Sequence, residues 1–237
     1  MKRFFSVSDV IDRAWDLTKE YGFVLVIVYI VIKVIGELLG NSMSPEIDPQ
    51  AIIDAMNNTD FETFKQIYFS NPLGTIVMML FDAVMMLGFV NCTLLLAKGV
   101  IESVSLEAWK QPAKVYLNYV VLVIFVKIIA WVGYCLCILP GLYLDARLQF
   151  APLRALDHPE DSIMDCLSAS WNMTRDNVMN LIWLLIVEFF IIIVGLIICC
   201  VGVIPAAVIC HFAEVEAYLV LSGFYDKEPE QSSEIAY

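Results

Sequence analysis

The residues of this sequence that are best suited to carry out chemistry are ionisable side chains within long apolar runs. His211 and Glu214 stand three positions apart, so a helix would place them on one face, where Glu216 or Glu188 could complete a metal site. A two-metal helical bundle needs such a motif on two helices, and the other histidine, His158, lies outside the apolar runs. The pattern therefore predicts no bound metal and no cofactor.

Carboxylates outnumber cations among the ionisable residues of these runs. The cations are Lys33, Lys127 and Arg147, and the carboxylates are Glu37, Asp82, Asp145, Glu188, Glu214 and Glu216. The rise of a helix places most of them near the middle of a membrane span, with Asp145 and Arg147 nearer the outer face. Charges at that depth are costly, so each is expected to have a partner or to face water.

Two interpretations of these charges stay open. In the first, they pair across helices and fix the register of a bundle, with Lys33 and Glu37 as a simple pair at i and i+4. In the second, the surplus carboxylates line a polar cavity for a substrate or a proton. Glu188, Glu214 and Lys127 are the first residues to mutate in a test of that cavity.

No catalytic constellation accompanies the charges. The sequence contains no G-x-S-x-G, no H-E-x-x-H and no glycine-rich loop of the kind that binds phosphate. An enzyme acting on lipid would also need a nucleophile and a base, and the motifs supply neither. We therefore expect a protein that is not an enzyme.

The elements that must position these residues follow from composition. The chain is 60% hydrophobic, with a mean hydropathy of +0.76, and it contains six long apolar runs. About 20 helical residues cross a bilayer, so we predict an all-α membrane protein with six transmembrane helices. The predicted spans are 22–39, 72–97, 115–138, 139 to about 156, 178–202 and 203–224. The net charge of −12 argues against nucleic acid as a partner.

Amphipathic segments precede the first, third and fifth spans. Residues 6–21 and 162–177 alternate apolar and charged positions at helical spacing, and 98–114 is a shorter surface segment. We expect them to lie in the membrane interface, with Trp15, Trp109 and Trp171 as anchors at headgroup level.

Basic residues give the orientation. Those flanking the spans fall on one side, except for Lys65 in the polar loop 41–71. By the positive-inside rule, both termini are cytoplasmic and this loop is outside. We expect a single membrane domain over 1–224 and an acidic cytoplasmic tail over 225–237.

An internal repeat connects the amphipathic segments. Ser6, Asp9, Trp15 and Thr18-Lys19-Glu20 align with Ser162, Asp165, Trp171 and Thr174-Arg175-Asp176, and Ala108-Trp109 marks a fainter middle copy. The return spans begin near Pro72, Pro140 and Pro205. We therefore predict three helical-hairpin repeats, about 6–97, 98–157 and 158–224, each beginning with an interfacial helix.

These motifs also resemble a protein family. Asp9 with Trp15 and Thr18-Lys19-Glu20, the run from Ile138 to Tyr143 followed by Ala146-Arg147 and Phe150, and Asp165 with Ser168–Trp171 carry the resemblance. The family comprises bacterial inner-membrane proteins similar to the membrane domain attached to some glycerophosphodiester phosphodiesterases. The resemblance implies a six-span module in the bacterial inner membrane, without the phosphodiesterase and usually without an assigned activity.

The expected function is a lipid-associated or scaffolding membrane module. Its expected partners are membrane lipid and either a second copy of the chain or another membrane protein. The alternative is a small transporter or channel that uses the charges near the midplane. We read the seven cysteines as small packing residues, the alternative being a disulfide between Cys137 and Cys199 or Cys200.

Overall fold

The computed structural model describes residues 6–43, 72–198 and 202–226, and their regular structure is entirely helical. The α-helices are α1 (Val7–Met43), α2 (Pro72–Ala97), α3 (Ala113–Leu136), α4 (Ile138–Leu148), α5 (Ala151–Asp157), α6 (Ile163–Met173), α7 (Val178–Ile198) and α8 (Val203–Ser222), with a 3₁₀ turn at Leu106–Trp109. Residues 227–237 of the predicted tail and residues 44–71 of the predicted loop lie outside these described residues.

Within the described residues, three helices are long and apolar enough to cross a membrane. They are Ala113–Cys135, Val178–Ile197 and Val203–Ser222, and Phe81–Ala97 is a shorter apolar helix. Large hydrophobic side chains such as Phe125, Trp131 and Phe189 are exposed on these helices. Surfaces of this kind suit hydrocarbon rather than water, and with the three long apolar helices they indicate a membrane protein.

The first amphipathic segment is not a separate helix. Predicted residues 6–21 and the first span 22–39 form one helix, α1, of 37 residues. No proline interrupts it, and the single glycine at the expected boundary, Gly22, costs only about 1 kcal/mol in a helix interior. Thr18 Oγ1 also donates to the carbonyl of Ala14 at 2.7 Å, inside the same helix.

The middle segment, 98–114, forms only the short 3₁₀ turn instead of an interfacial helix. Gly99, with φ of +66°, turns the chain after the end of α2. Pro112 immediately precedes α3. The indole of Trp109 packs on Gly88, where an added Cβ would lie 1.9 Å from the indole Nε1. That nitrogen is buried without a hydrogen-bond partner, so the indole N–H of Trp109 packs on the protein. The role of Trp109 as an interfacial anchor stays a prediction.

The turn between the third and fourth predicted spans lies earlier in the chain than Leu139-Pro140-Gly141, where the sequence predicts it. Cys137 is extended, and Leu139-Pro140-Gly141 already belong to the first turns of α4. Proline is tolerated there because the first amides of a helix have no helical acceptor. Gly133 permits the hairpin, since a Cβ on it would lie 2.9 Å from Gly141 Cα.

The fourth predicted span, 139 to about 156, is not one continuous helix. It divides into α4 and α5 at Gln149–Phe150. Pro152 explains the break, because it has no N–H to donate to the carbonyl of Leu148. At 1.5 Å per residue, neither α4 nor α5 approaches the roughly 30 Å of a hydrocarbon core alone.

The chain forms two compact units, Met1–Val26 with Leu87–Tyr237, and Ile27–Met86. In the first unit, α3 packs on α4 and α5, α4 packs on α6 and α7, and α7 packs on α8. One buried cluster joins α3, α4, α5 and α6: Leu122, Val126, Leu148, Ala151, Ala155 and Cys166.

The described cysteines, 92, 135, 137, 166 and 210, are free thiols. Burial raises the pKa of Cys166 on α6 to about 11, which keeps the thiol neutral and fits a packing role. Cys199 and Cys200, the proposed partners of Cys137, lie outside the described residues.

Candidate functional site

In the smaller unit, Lys33 meets a carboxylate of another helix. Lys33 Nζ lies 3.1 Å from Asp82 Oδ1, and both side chains are about half exposed. The predicted intrahelical partner, Glu37, has its side chain outside the described part of the structure. The pairing interpretation is therefore realised here across helices, between α1 and α2.

In the larger unit, Lys127 and Asp145 face each other across the α3–α4 hairpin. Lys127 Nζ lies 3.9 Å from Asp145 Oδ1, and the lysine side chain remains exposed. Tyr134 donates a long hydrogen bond of 3.4 Å to the same carboxylate. Such a pair is geometrically loose, so it compensates Asp145 only weakly.

Among the predicted carboxylates whose side chains the structure describes, Glu188 on α7 is the least compensated. Its residue is 7% exposed, and its Oε1 is buried with no hydrogen-bond partner in the structure. The charged groups within electrostatic range are further carboxylates, Glu214 and Asp145. The nearest helix contributes Cys210, whose thiol lies 3.6 Å from the backbone carbonyl of Glu188 and leaves the carboxyl untouched.

Glu214 has a partner on its own helix. His211 Nδ1 lies 3.4 Å from Glu214 Oε2, as the i, i+3 spacing predicted, and the imidazole stacks beside Phe89 with ring centroids 5.8 Å apart. The other ring nitrogen of His211 is buried without a partner. Among the described residues, no group of three or more metal-ligating side chains could hold an ion.

Glu216 has partners of its own on other segments of the chain, and its place near the midplane stays a prediction. Arg13 Nη1 on α1 lies 3.9 Å from Glu216 Oε2, and Tyr225 donates to the same oxygen at 2.8 Å. The Arg13 guanidinium also stacks on the Tyr225 ring at 4.7 Å. Burial and the Glu216 carboxylate raise the pKa of Tyr225. Glu216 therefore holds the beginning of α1 to the end of α8.

A polar network at the end of α5 was missed by the sequence analysis. Lys98 forms an ion pair with Asp157, and Tyr218 donates to the other oxygen of Asp157 at 2.7 Å. Burial alone would raise the pKa of Asp157, but the hydrogen bonds from Lys98 and Tyr218 outweigh it and lower that pKa. Arg154 Nε donates to Asp161 at 2.8 Å beside this network. In the sequence, Lys98 and Arg154 are recognisable only as two of the basic residues that flank the predicted spans.

Arg147 on α4 is buried among aromatic rings and, within the described part of the chain, not in an ion pair like that of Arg154. It packs on α6, and its place near the outer face of the membrane stays a prediction. The residue is 3% exposed, and its guanidinium lies 4.1 Å from the Trp171 ring centroid and 5.9 Å from that of Tyr143. Nη1 donates to Thr174 at 3.3 Å, whereas the buried Nε has no acceptor.

A serine side chain of α6 holds the backbone of Arg147 in place. The hydroxyl of Ser170 donates to the carbonyl of Arg147 at 2.9 Å, which ties α6 to α4. The helix α6 begins with a capping box, in which Ser162 accepts from the backbone of Asp165 and Asp165 accepts from the backbone of Ser162. The hydrogen bonds from Ser162 lower the pKa of Asp165. The Ser162-x-x-Asp165 spacing could have identified this cap.

An apolar groove of about 710 Å³ lies between the beginning of α1 and the α7–α8 hairpin. Its lining residues are mainly aliphatic and aromatic: Ile11, Asp12, Trp15, Val187, Phe190, Ile191, Val194, Gly195, Gly202, Pro205, Ala206 and Ile209. Close contact of α7 with α8 forms one part of it, since a Cβ on Gly195 would lie 2.8 Å from the Gly202 carbonyl oxygen.

No family model matches this chain, and no curated protein or solved structure matches it. The resemblance to the phosphodiesterase-associated membrane family therefore stays a prediction. What the chain can do must be argued from its own grooves and charges.

Proposed function

We propose that this protein is a non-enzymatic, lipid-associated membrane module, with a scaffolding or accessory role. The observation that supports the proposal best is the groove beside Trp15, because a volume of about 710 Å³ falls in the range of small-molecule sites. Asp12 is its one charged lining residue, and the apolar remainder suits a lipid acyl chain.

In this proposal the chain makes six crossings as three hairpins in the bacterial inner membrane. The fourth crossing is made by α4 and α5 together. Pro140 and Pro205 both occupy the third position of their helices, α4 and α8, which supports equivalence of the second and third return segments. Membership of the resembling inner-membrane family is part of the same proposal.

The topology is tested by single cysteines placed beside Trp15 and Trp171 in a cysteine-free background. Membrane-impermeant reagents should label them from the cytoplasmic side and not from outside. Labelling from outside would overturn the proposed orientation.

Lipid association is tested by native mass spectrometry of the detergent-purified protein. Val194 lines the groove and is exposed, so Val194→Trp should fill the space and reduce the retained lipid. Leu196→Trp is the matched control, because Leu196 is exposed on the same helix outside the groove. Wild-type protein that retains no lipid, or equal retention in the two variants, would contradict the proposed association.

A second candidate function is transport of a proton or small cation. The buried Glu188 oxygen without a partner favours it, because a carboxyl group in that position gains from binding a proton or a cation. Glu188→Gln should then abolish flux in proteoliposomes, and Lys127→Met should change its rate. Wild-type protein that moves neither protons nor alkali cations would exclude this function.

A further inference from the structure

We propose that Arg147 and its surroundings bind a phosphate group. The Arg147 site consists of Arg147, Tyr143, Trp171, Thr174 and Arg175. It is separate from the apolar groove, so it can be tested independently of the lipid association proposed above.

No carboxylate in the described part of the chain compensates the charge of Arg147. None of the ion pairs found among the described residues includes Arg147, although this residue is only 3% exposed. Two titratable side chains act on it electrostatically: Tyr143, which favours the charge, and more weakly a second cation, Arg175, which opposes it. A buried guanidinium beside a second cation favours an anion as the missing partner.

The free edge of the guanidinium identifies the chemistry of that anion. The rings of Trp171 and Tyr143 lie near the guanidinium. They do not satisfy its in-plane N–H donors, which still need acceptors. Thr174 Oγ1 accepts from Nη1, so Nε remains as a buried donor without an acceptor. A phosphate presents oxygens at the spacing of such a fork, and its negative charge suits both arginines.

Access to the site requires movement of side chains only. Trp171 is 39% exposed and Tyr143 is 41% exposed, so the rings that cover Arg147 themselves reach the surface. Rotation of either ring would open one face of the guanidinium, while the hydrogen bond from Ser170 keeps the backbone of Arg147 in place. The phosphate could belong to a lipid headgroup or be free in solution, since both offer the same oxygens.

The test compares three probes on the full-length protein in a neutral detergent. Phosphatidylglycerol carries chains and a phosphate, dioleoylglycerol carries the chains alone, and inorganic phosphate carries no chains. Lipid binding is measured by native mass spectrometry, and phosphate binding by calorimetry. We expect phosphatidylglycerol to bind at least about tenfold more tightly than dioleoylglycerol. This is the difference in affinity that one charge-assisted hydrogen bond would produce.

Arg147→Gln should remove this preference, and Arg147→Lys should restore it only in part, because lysine keeps the charge without the fork. Arg154→Gln is the matched control, since Arg154 already has Asp161 as its partner, and it should keep the preference. If Arg147→Gln does not fold, Arg147→Lys and Arg175→Gln carry the same comparison.

The outcomes separate the sources and the two proposals. Phosphatidylglycerol binding that depends on Arg147 assigns a lipid headgroup, whereas Arg147-dependent binding of inorganic phosphate alone assigns a free phosphate. Equal binding of phosphatidylglycerol and dioleoylglycerol, with no binding of inorganic phosphate, would overturn the site. Val194→Trp should leave the phosphate preference unchanged, so failure of the groove proposal remains distinguishable.

Discussion

Two arginines in neighbouring helices of the same segment are treated in opposite ways by the fold. Arg154 on α5 is partly buried and donates to Asp161 at 2.8 Å. Arg147 on α4 is more deeply buried and has a threonine hydroxyl as its acceptor. The α5 end, with the Lys98–Asp157 pair, is a compensated network that stabilises the fold. Arg147, by contrast, has no carboxylate partner among the described residues, which is why we propose a ligand site there.

Removal of the central carboxylate of the compensated network should have the largest effect on stability. Asp157→Asn would leave Lys98 without its counter-ion and weaken the bond from Tyr218. We expect the free energy of unfolding to fall by about 3 kcal/mol, measured by titration with sodium dodecyl sulfate. Asp16→Asn is the control, because the Asp16–Lys19 pair is exposed, and it should change stability by less than about 1 kcal/mol.

The two arginines should also differ when each is neutralised. Arg154→Gln breaks a partly buried ion pair and should lower the free energy of unfolding by about 2 kcal/mol. Arg147→Gln removes an uncompensated charge, so the same titration without added lipid or phosphate should show a smaller loss or a gain. Equal losses in the two variants would break the contrast between a structural and a ligand-binding arginine.

Acid pH should act on the compensated network through Asp157. Because its pKa is lower in the folded protein than its usual value of 3.8, this residue stabilises the fold above about pH 4, and the contribution is lost as pH falls through the folded pKa. Thermal unfolding at pH 7, 4 and 3 should show this loss for the wild type. The effect should be smaller than that of Asp157→Asn at neutral pH. A wild-type and Asp157→Asn difference that stays constant down to pH 3 would contradict this assignment.

The sequence predicted the solvent of this chain better than its polar contacts. Apolar runs identified α3, α7 and α8 because the length of a span and its hydrophobicity are local properties. The i, i+3 pair of His211 and Glu214 was also found, since helical spacing alone creates it.

Contacts between distant segments could not be predicted in this way. The Lys98–Asp157 pair and the Arg147–Trp171 stack depend on how α4, α5 and α6 pack, which a single sequence does not state. The division of the fourth predicted span at Pro152 was readable in principle, but the apolar run concealed it. Conversely, the repeat suggested three similar surface helices, whereas α1 is continuous and only α6 is a separate one.

The smallest effect we predict concerns the cap of α6, which lies beside one arginine and far along the helix from the other. Ser162→Ala removes the capping box and should cost about 1 kcal/mol, with Ser168→Ala on the same helix as a near-neutral control. Since Asp161 adjoins the cap, the combination with Arg154→Gln should deviate from additivity by about 0.5 kcal/mol or more. The combination with Arg147→Gln should be additive, because Trp171 and Thr174 lie at the other end of α6. Coupling of the cap to Arg147 instead would mean that the whole of α6, rather than its end, positions the guanidinium.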